Sequence, residues 1–363
     1  MAELLKNVYS PAFIDSVASQ FQFAYPHFDK IAFVNTIFDE QWESRELKSR
    51  LTFIAQTLHQ FLPSDFKKST VILNKVAPFF SGYEAMFFPA FIELYGLDDV
   101  NDYQISIDSL ELLTEYSSAE FAVRPFIIKY PEKMMAQMLI WAKSDNFHVR
   151  RLASEGCRPR LPWACALPSF KKDPAKILPI LECLKDDEQD YVYRSVANNL
   201  NDICKDHPEL VVDIAQQWLR GAPSKNRTWL VKHACRNLLK SAHPDILILF
   251  GFSPPKHITL TDLVVDEAVI MGKDLNFSFI LSSSKKLGRC RLEFVICFMK
   301  KNGKQVDKVF KISESEIKTN SKKVNKKFSF KAISTRQYYS GAHQLSVIVN
   351  GVRLAEKNFT LLD

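Results

Sequence analysis

Apolar residues recur at helical spacing through the first two thirds of the chain and alternate through the last third. Phe13, Ile14, Val17 and Phe21 follow Ser10-Pro11, which supplies an N-cap and a first-turn proline. Phe33, Val34, Ile37 and Phe38 keep that spacing, as do Leu51, Ile54, Leu58 and Phe61. Val71, Leu73, Val76 and Phe79 then lead into an aromatic run through Phe87, Phe88 and Phe91. Residues 10–125 therefore predict helix after helix, with no strand signal among them.

From about residue 104 the helices recur in pairs. The second helix of each pair is expected to open with a proline: Tyr130-Pro131, Asp173-Pro174, His207-Pro208 and His243-Pro244. The helices before them align as Arg150-Arg-Leu-Ala153, Arg194-Ser-Val-Ala197 and Val231-Lys-His-Ala234, each placing an alanine where two helices can approach closely. Prolines spaced about 34 to 43 residues apart suit a helical-hairpin solenoid of the HEAT type. First helices of successive pairs would lie side by side along one concave surface. Glu155, Asp202 and the Trp229 to Arg236 segment are thus expected to face a common ligand.

Ser253-Pro254-Pro255 ends this texture. Leu275, Phe277 and Phe279 alternate, as do Cys290, Leu292, Phe294, Ile296 and Phe298, then Leu345, Val347 and Val349. Asn302-Gly303 and Asn350-Gly351 are hairpin signals, and Tyr338 is positioned for a tyrosine corner before a late strand. About seven short strands predict an immunoglobulin-like sandwich. The expected organisation is an all-α HEAT-like solenoid over residues 1–253 followed by an all-β immunoglobulin-like domain over residues 254–363.

Charge sharpens this picture. The whole chain carries +7, with 48 Lys+Arg against 41 Asp+Glu. From Pro254 onward there are 20 Lys+Arg and 10 Asp+Glu, while the preceding part has 28 and 31. Within that acidic body, residues 121–172 hold 10 basic and 3 acidic residues. Two basic regions on a nearly neutral background read as a footprint for nucleic acid. In the tail Lys322, Lys323, Lys326 and Lys327 cluster, expected in or beside a loop, although lysines also serve simply to keep a β domain in solution. Seven cysteines without a CxxC pair fit a reducing compartment. The first residues, Met1 to Asn7, do not read as a secretory leader, and no apolar run reaches membrane-spanning length, so a cytoplasmic protein without a membrane partner is expected.

Candidate chemistry concentrates in Asn146 to Trp163, a helix that Pro159 and Pro162 end. Arg151 and Glu155 are an i, i+4 pair, Val149, Leu152 and Cys157 form an apolar edge, and Trp163 comes from a non-helical turn. Singly, these residues fit a repeat helix with a surface ion pair and a core tryptophan. Together, a basic segment containing one carboxylate and ending in an aromatic ring suits a site that holds phosphates and confronts a cation. Glu120 belongs one pair earlier, unless Ser117 and Glu120 form a capping box. Cys157 is expected to pack rather than react.

The segment Val149 to Trp163, the helix Arg194 to Asp202 and the stretch Tyr338 to Gly351 resemble, along essentially the whole chain, the AlkC-type bacterial DNA alkylation repair glycosylases. The resemblance implies an enzyme that releases cationic 3-methylcytosine and 3-methyladenine from double-stranded DNA, without base flipping, metal or cofactor, as a monomer. It implies Glu155, Glu120, Asp202 and Trp163 as site residues, with Glu155 the catalytic carboxylate and either Glu120 or Asp202 holding water. It assigns Arg151, Arg158, Arg160 and Arg194 to phosphates, with orientation of Glu155 as the alternative for Arg151. The competing expectation is a non-catalytic HEAT-repeat scaffold, because fold alone does not establish chemistry.

Overall fold

The computed structural model describes residues 5–333 and 336–363. Met1 to Leu4, read above for a leader, lie outside the described residues. The described chain runs as helices and then strands. The first helices are α1 (Pro11–Ala24), α2 (Lys30–Ile37), α3 (Leu47–Phe61), α4 (Phe66–Val76), α5 (Phe87–Gly96) and α6 (Tyr103–Leu113). The repeat continues with α7 (Val123–Lys129), α8 (Pro131–Trp141), α9 (Phe147–Gly156), α10 (Pro168–Lys172), α11 (Leu178–Leu184) and α12 (Asp190–Ile203). Then come α13 (Pro208–Trp218), α14 (Lys225–Ala234), α15 (Arg236–Lys240) and α16 (Pro244–Leu249). No helix among the described residues is long and apolar enough to cross a membrane.

Local chemistry explains where these helices start. Ser10, Asp29, Asp65 and Asn146 each accept a hydrogen bond from a first-turn amide, satisfying donors that have no partner within the helix. Pro131, Pro208 and Pro244 occupy the first helical position as the spacing predicts. Pro174 does not: a turn intervenes, and the helix begins at Leu178 with Pro179 in its first turn. Val149, Leu152 and Cys157 are buried along the expected edge of α9. Gly156 ends that helix against α7, where an added Cβ would come within 2.6 Å of Val123.

The chain forms two packing units. One comprises Met1–His207 and Trp218–Ala234; the other comprises Pro208–Gln217 and Cys235–Asp363. In the first, α12 lies between α9 and α14, so the three aligned helices are neighbours. In the second, strands begin at Ile258, close to the Ser253-Pro254-Pro255 break, but α15 and α16 pack with them.

The strands are β1 (Ile258–Val265), β2 (Ala268–Ile270), β3 (Asp274–Ser283), β4 (Gly288–Met299), β5 (Gln305–Ile317), β6 (Ser321–Ser329), β7 (Gly341–Val349) and β8 (Val352–Leu362). They form a three-stranded sheet, β1-β3-β6, and a five-stranded sheet, β2-β8-β7-β4-β5. The alternating residues named above point into one core with Phe330, Tyr338 and Phe359. Tyr338 packs against Phe298 and Phe330 there, at ring distances of 5.8 and 5.0 Å. Both expected hairpins form, and Asn350 (φ 46°) with Gly351 (φ 82°) makes the tight turn between β7 and β8. That turn explains why the last helices join this unit. The Asn350 amide donates to the Ser253 carbonyl at 2.8 Å, and a Cβ on Gly351 would press to 2.6 Å from Leu247.

The lysine cluster is not in a loop. Lys322, Lys323, Lys326 and Lys327 lie on β6, at the edge of the three-stranded sheet, paired in register with Leu281, Ile280, Phe277 and Asn276 of β3. Strand alternation divides the four between two faces, and lysines on an edge strand discourage pairing with another chain.

Candidate active site

The inner face of α12 carries polar residues at helical spacing: Ser195, Asn199 and Asp202, all buried. They meet α9. The Ser154 and Ser195 hydroxyls are 2.7 Å apart, and Asn199 donates to the Ser154 carbonyl at 2.8 Å. This polar seam fixes the register of α9, and at its end the two helices share charged side chains.

Those side chains form an alternating row. Arg151 donates to Glu120 and approaches Glu155 at 3.5 Å. Arg158 donates through Nη1 to Glu155 Oε1 at 2.6 Å and through Nε to Asp202 Oδ2 at 3.0 Å. Lys205 closes the row on the other oxygen of Asp202 at 3.2 Å. The row is largely withdrawn from water, with Glu155 7% and Asp202 3% exposed at the side chain. Burial opposes the charge on Arg151, but Glu155 and Glu120 outweigh it, leaving its pKa raised. Glu155 and Asp202 do the same for Arg158.

Glu120 stands in the turn before α7, and the capping box does not form. Ser117 donates instead to the Gly82 carbonyl at 2.8 Å, while Ser118 donates to Glu120 at 2.7 Å. Arg151 also donates to the Ser118 hydroxyl, at 2.6 Å. Glu120 is thereby fixed from two sides.

A cleft of about 680 Å³ opens over the row, lined by Tyr83, Glu120, His148, Arg151, Glu155, Trp163 and Tyr191 among others. Asp202 and the segment from Trp229 are not among its lining residues. Asp202 lies on the buried face of α12, so it meets Arg158 and not the cleft. Trp163 is no core residue: it is 65% exposed, with Tyr83 edge-on at 6.5 Å. Its φ of 64° is the left-handed region, costly for a bulky side chain by about 1–2 kcal/mol and sustained only where the surroundings impose it.

The surroundings do impose it. After α9 the loop runs through Pro159 and Pro162, and its carbonyls are taken by cations from elsewhere in the chain. The buried Arg124 of α7 donates to the carbonyls of Gly156, Arg158 and Cys165 at 2.9, 2.8 and 2.7 Å. Lys48 of α3 donates to the Trp163 carbonyl at 2.6 Å.

The expected phosphate contacts fare unevenly. Arg151 and Arg158 are buried against carboxylates, so they orient the acids instead of presenting charge outward. Tyr191 covers Arg151 further, its ring 4.7 Å from the guanidinium. Arg160 pairs with Asp206 at 2.7 Å and is 35% exposed. Arg194 is exposed, paired with Asp190 and stacked 4.7 Å over Trp229. Sequence reasoning missed Ser118, Arg124, Lys48, Tyr83, His148 and Tyr191. Only the buried polar spacing on α12 offered a signal, and it pointed to Ser195 and Asn199 as supports of the site.

A helical body carrying two buried carboxylates and a half-buried third interleaved with cations, joined to an immunoglobulin-like sandwich, has clear relatives. Residues 114–238 match the model of the DNA alkylation repair enzymes, and residues 259–363 match that of the C-terminal Ig-like domain of the uncharacterised protein YhaZ. The chain belongs to the DNA alkylation repair glycosylase family, in its AlkC-like branch. It is 43% identical to the uncharacterised protein YhaZ of Bacillus subtilis (strain 168), over 96% of each chain. It is also similar to the Pseudomonas fluorescens alkylpurine DNA glycosylase AlkC, solved bound to DNA containing an abasic site analog. The identity there is 32%, with 99% of this chain and 100% of that one covered and a TM-score of 0.94.

Proposed function

We propose that this chain is a monofunctional glycosylase of base excision repair that hydrolyses the N-glycosidic bond of 3-methylcytosine and 3-methyladenine in double-stranded DNA. The observation that carries the reading is a carboxylate row held on buried guanidiniums beneath an exposed indole. Alkylation at N3 makes the base cationic. When the bond to C1′ breaks, its electron pair stays on the base, which leaves neutral and needs no general acid.

The sugar left behind is oxocarbenium-like, and the Glu155 carboxylate, fixed by Arg158, stabilises that charge without having to reorganise. Water then adds to C1′ and passes a proton to a carboxylate. Glu120 lines the cleft and is the better placed of the two candidates; Asp202 acts through Arg158. Trp163 presents its face to the cationic base, an attraction of about 0.5–2 kcal/mol. The resemblance to the AlkC-type glycosylases supports an approach to the lesion from the backbone side, without a flipped base.

Arg160, Arg194 and the β6 lysines contact phosphates, with DNA bending a further demand on the β domain. In this reading the protein works as a cytoplasmic monomer, with no metal or cofactor taking part. The test is duplex DNA carrying one 3-methylcytosine or 3-methyladenine, assayed for free base with wild type and Glu155→Gln. Release by the wild type, lost in the variant while DNA binding is kept, is expected. DNA binding without release from either substrate would favour a scaffold.

A further inference from the structure

Lys48 is 115 positions from Trp163 in the sequence, yet its ammonium donates to that residue's carbonyl at 2.6 Å. The same ammonium lies 4.9 Å from the centre of the Phe121 ring, so it is steadied from a second side. Behind the contact is a cavity of about 210 Å³ between α3, α5 and the loop, lined in part by Lys48, Glu93, Phe121 and Cys165. Met86, Ser118 and Phe121 line both this cavity and the candidate catalytic cleft. Arg124 holds the loop at Gly156, Arg158 and Cys165, on either side of Trp163, but not at Trp163 itself.

The Trp163 carbonyl belongs to the peptide shared with Ala164, whose amide reaches the Leu161 carbonyl at 3.3 Å, so Lys48 and that turn hydrogen bond hold the peptide together. Without Lys48 the ψ of Trp163 is freer to change, and one of the contacts that sustain its left-handed φ of 64° and the placing of the indole is lost. Nothing in the sequence of α3 announces this task, and packing alone does not require a lysine there.

We infer that Lys48 is a positioning residue for Trp163, pinning its backbone so that the indole stands where a cationic base is met. The inference rests on the reading of Trp163 given under the proposed function. It assigns the N-terminal helices a part in the site beyond packing.

The test is a double-mutant cycle with Lys48→Met, Trp163→Ala and the pair, alongside Lys48→Arg. Single-turnover release of 3-methyladenine is measured at saturating protein, with thermal unfolding confirming the fold of each variant. Lys48→Met is expected to slow release about tenfold, Lys48→Arg to recover most of it, and the double variant to be no slower than Trp163→Ala alone. Multiplying effects, or unchanged release in Lys48→Met, would overturn the inference.

A second readout needs no activity. Acrylamide quenching of Trp163, taken as the difference between each protein and its Trp163→Phe counterpart, is expected to change when Lys48 becomes Met. If the wild type released no base, the functional reading would fail while quenching still decided the role of Lys48, and unchanged quenching would refute that role.

Discussion

Glu155 and Asp202, on different helices, share one guanidinium: Arg158 reaches the first through Nη1 and the second through Nε. The bond that orients Glu155 is therefore also a tie between α9 and α12.

Removing that tie has a cost well beyond activity. Arg158→Met takes one cation from each of two buried carboxylates, leaving Glu155 with Arg151 at 3.5 Å and Asp202 with Lys205 at 3.2 Å, and is expected to destabilise the fold by about 3 kcal/mol. Asp202→Asn keeps a hydrogen-bond acceptor for Arg158, so a smaller loss of stability is expected, with release slowed through Glu155. Thermal unfolding and single-turnover release on both variants check this ordering; equal stability would show that the row contributes nothing to the packing of α9 on α12.

Burial pushes the Cys157 thiol up to about 12, while Cys165 and Cys183 are exposed. Iodoacetamide at pH 8 is expected to modify the two exposed thiols first and spare Cys157 in the native protein. Peptide mass mapping decides it, and early labelling at Cys157 would reopen a nucleophilic role for that residue.

The Glu93 carboxyl is raised to about 7 by burial, with Lys48 acting in the opposite direction. Such a group binds its proton more tightly folded than unfolded, so its effect on stability is most favourable below the ordinary carboxylate range and declines as pH climbs through about 7. Glu93→Gln should match the wild type near pH 5 and exceed it at pH 8, by about 1–2 kcal/mol. Urea unfolding at the two pH values measures the difference. A gap that did not widen with pH would place the carboxyl in water.

On β6, Lys323, Lys326 and Lys327 are all exposed, but Lys327 is paired with Asp274 at 2.7 Å. If this edge meets DNA phosphates, Lys323→Ala with Lys326→Ala should weaken binding and lower the slope of log affinity against log salt by about 2. Lys327→Ala should matter less. An unchanged slope would move the contact to another surface of the domain.

Periodicity carried most of the fold. The helical stripe of α9, the prolines opening α8, α13 and α16, and the inward residues of β3, β4 and β7 all lie as the spacing predicts. The site was legible in part, because Arg151 and Glu155 are neighbours on one helix. The structure places Asp202 beneath Arg158, Trp163 outside the core and the lysines on a strand, none of which local spacing specifies. Lys48 and Arg124 were invisible for a different reason: each binds backbone carbonyls of a loop far away in sequence, and a carbonyl leaves no mark on residue identity.

Three acids and three bases alternate from Glu120 to Lys205, so the row as a whole sums to zero. From about a Debye length away, roughly 8 Å in physiological salt, such an arrangement is almost featureless to an approaching polyanion. Its field becomes distinct only at contact, where one carboxylate oxygen and the next guanidinium differ in sign. A carboxylate site can thus sit against a dense array of phosphates without driving them off, and still recognise a single positive charge set among them.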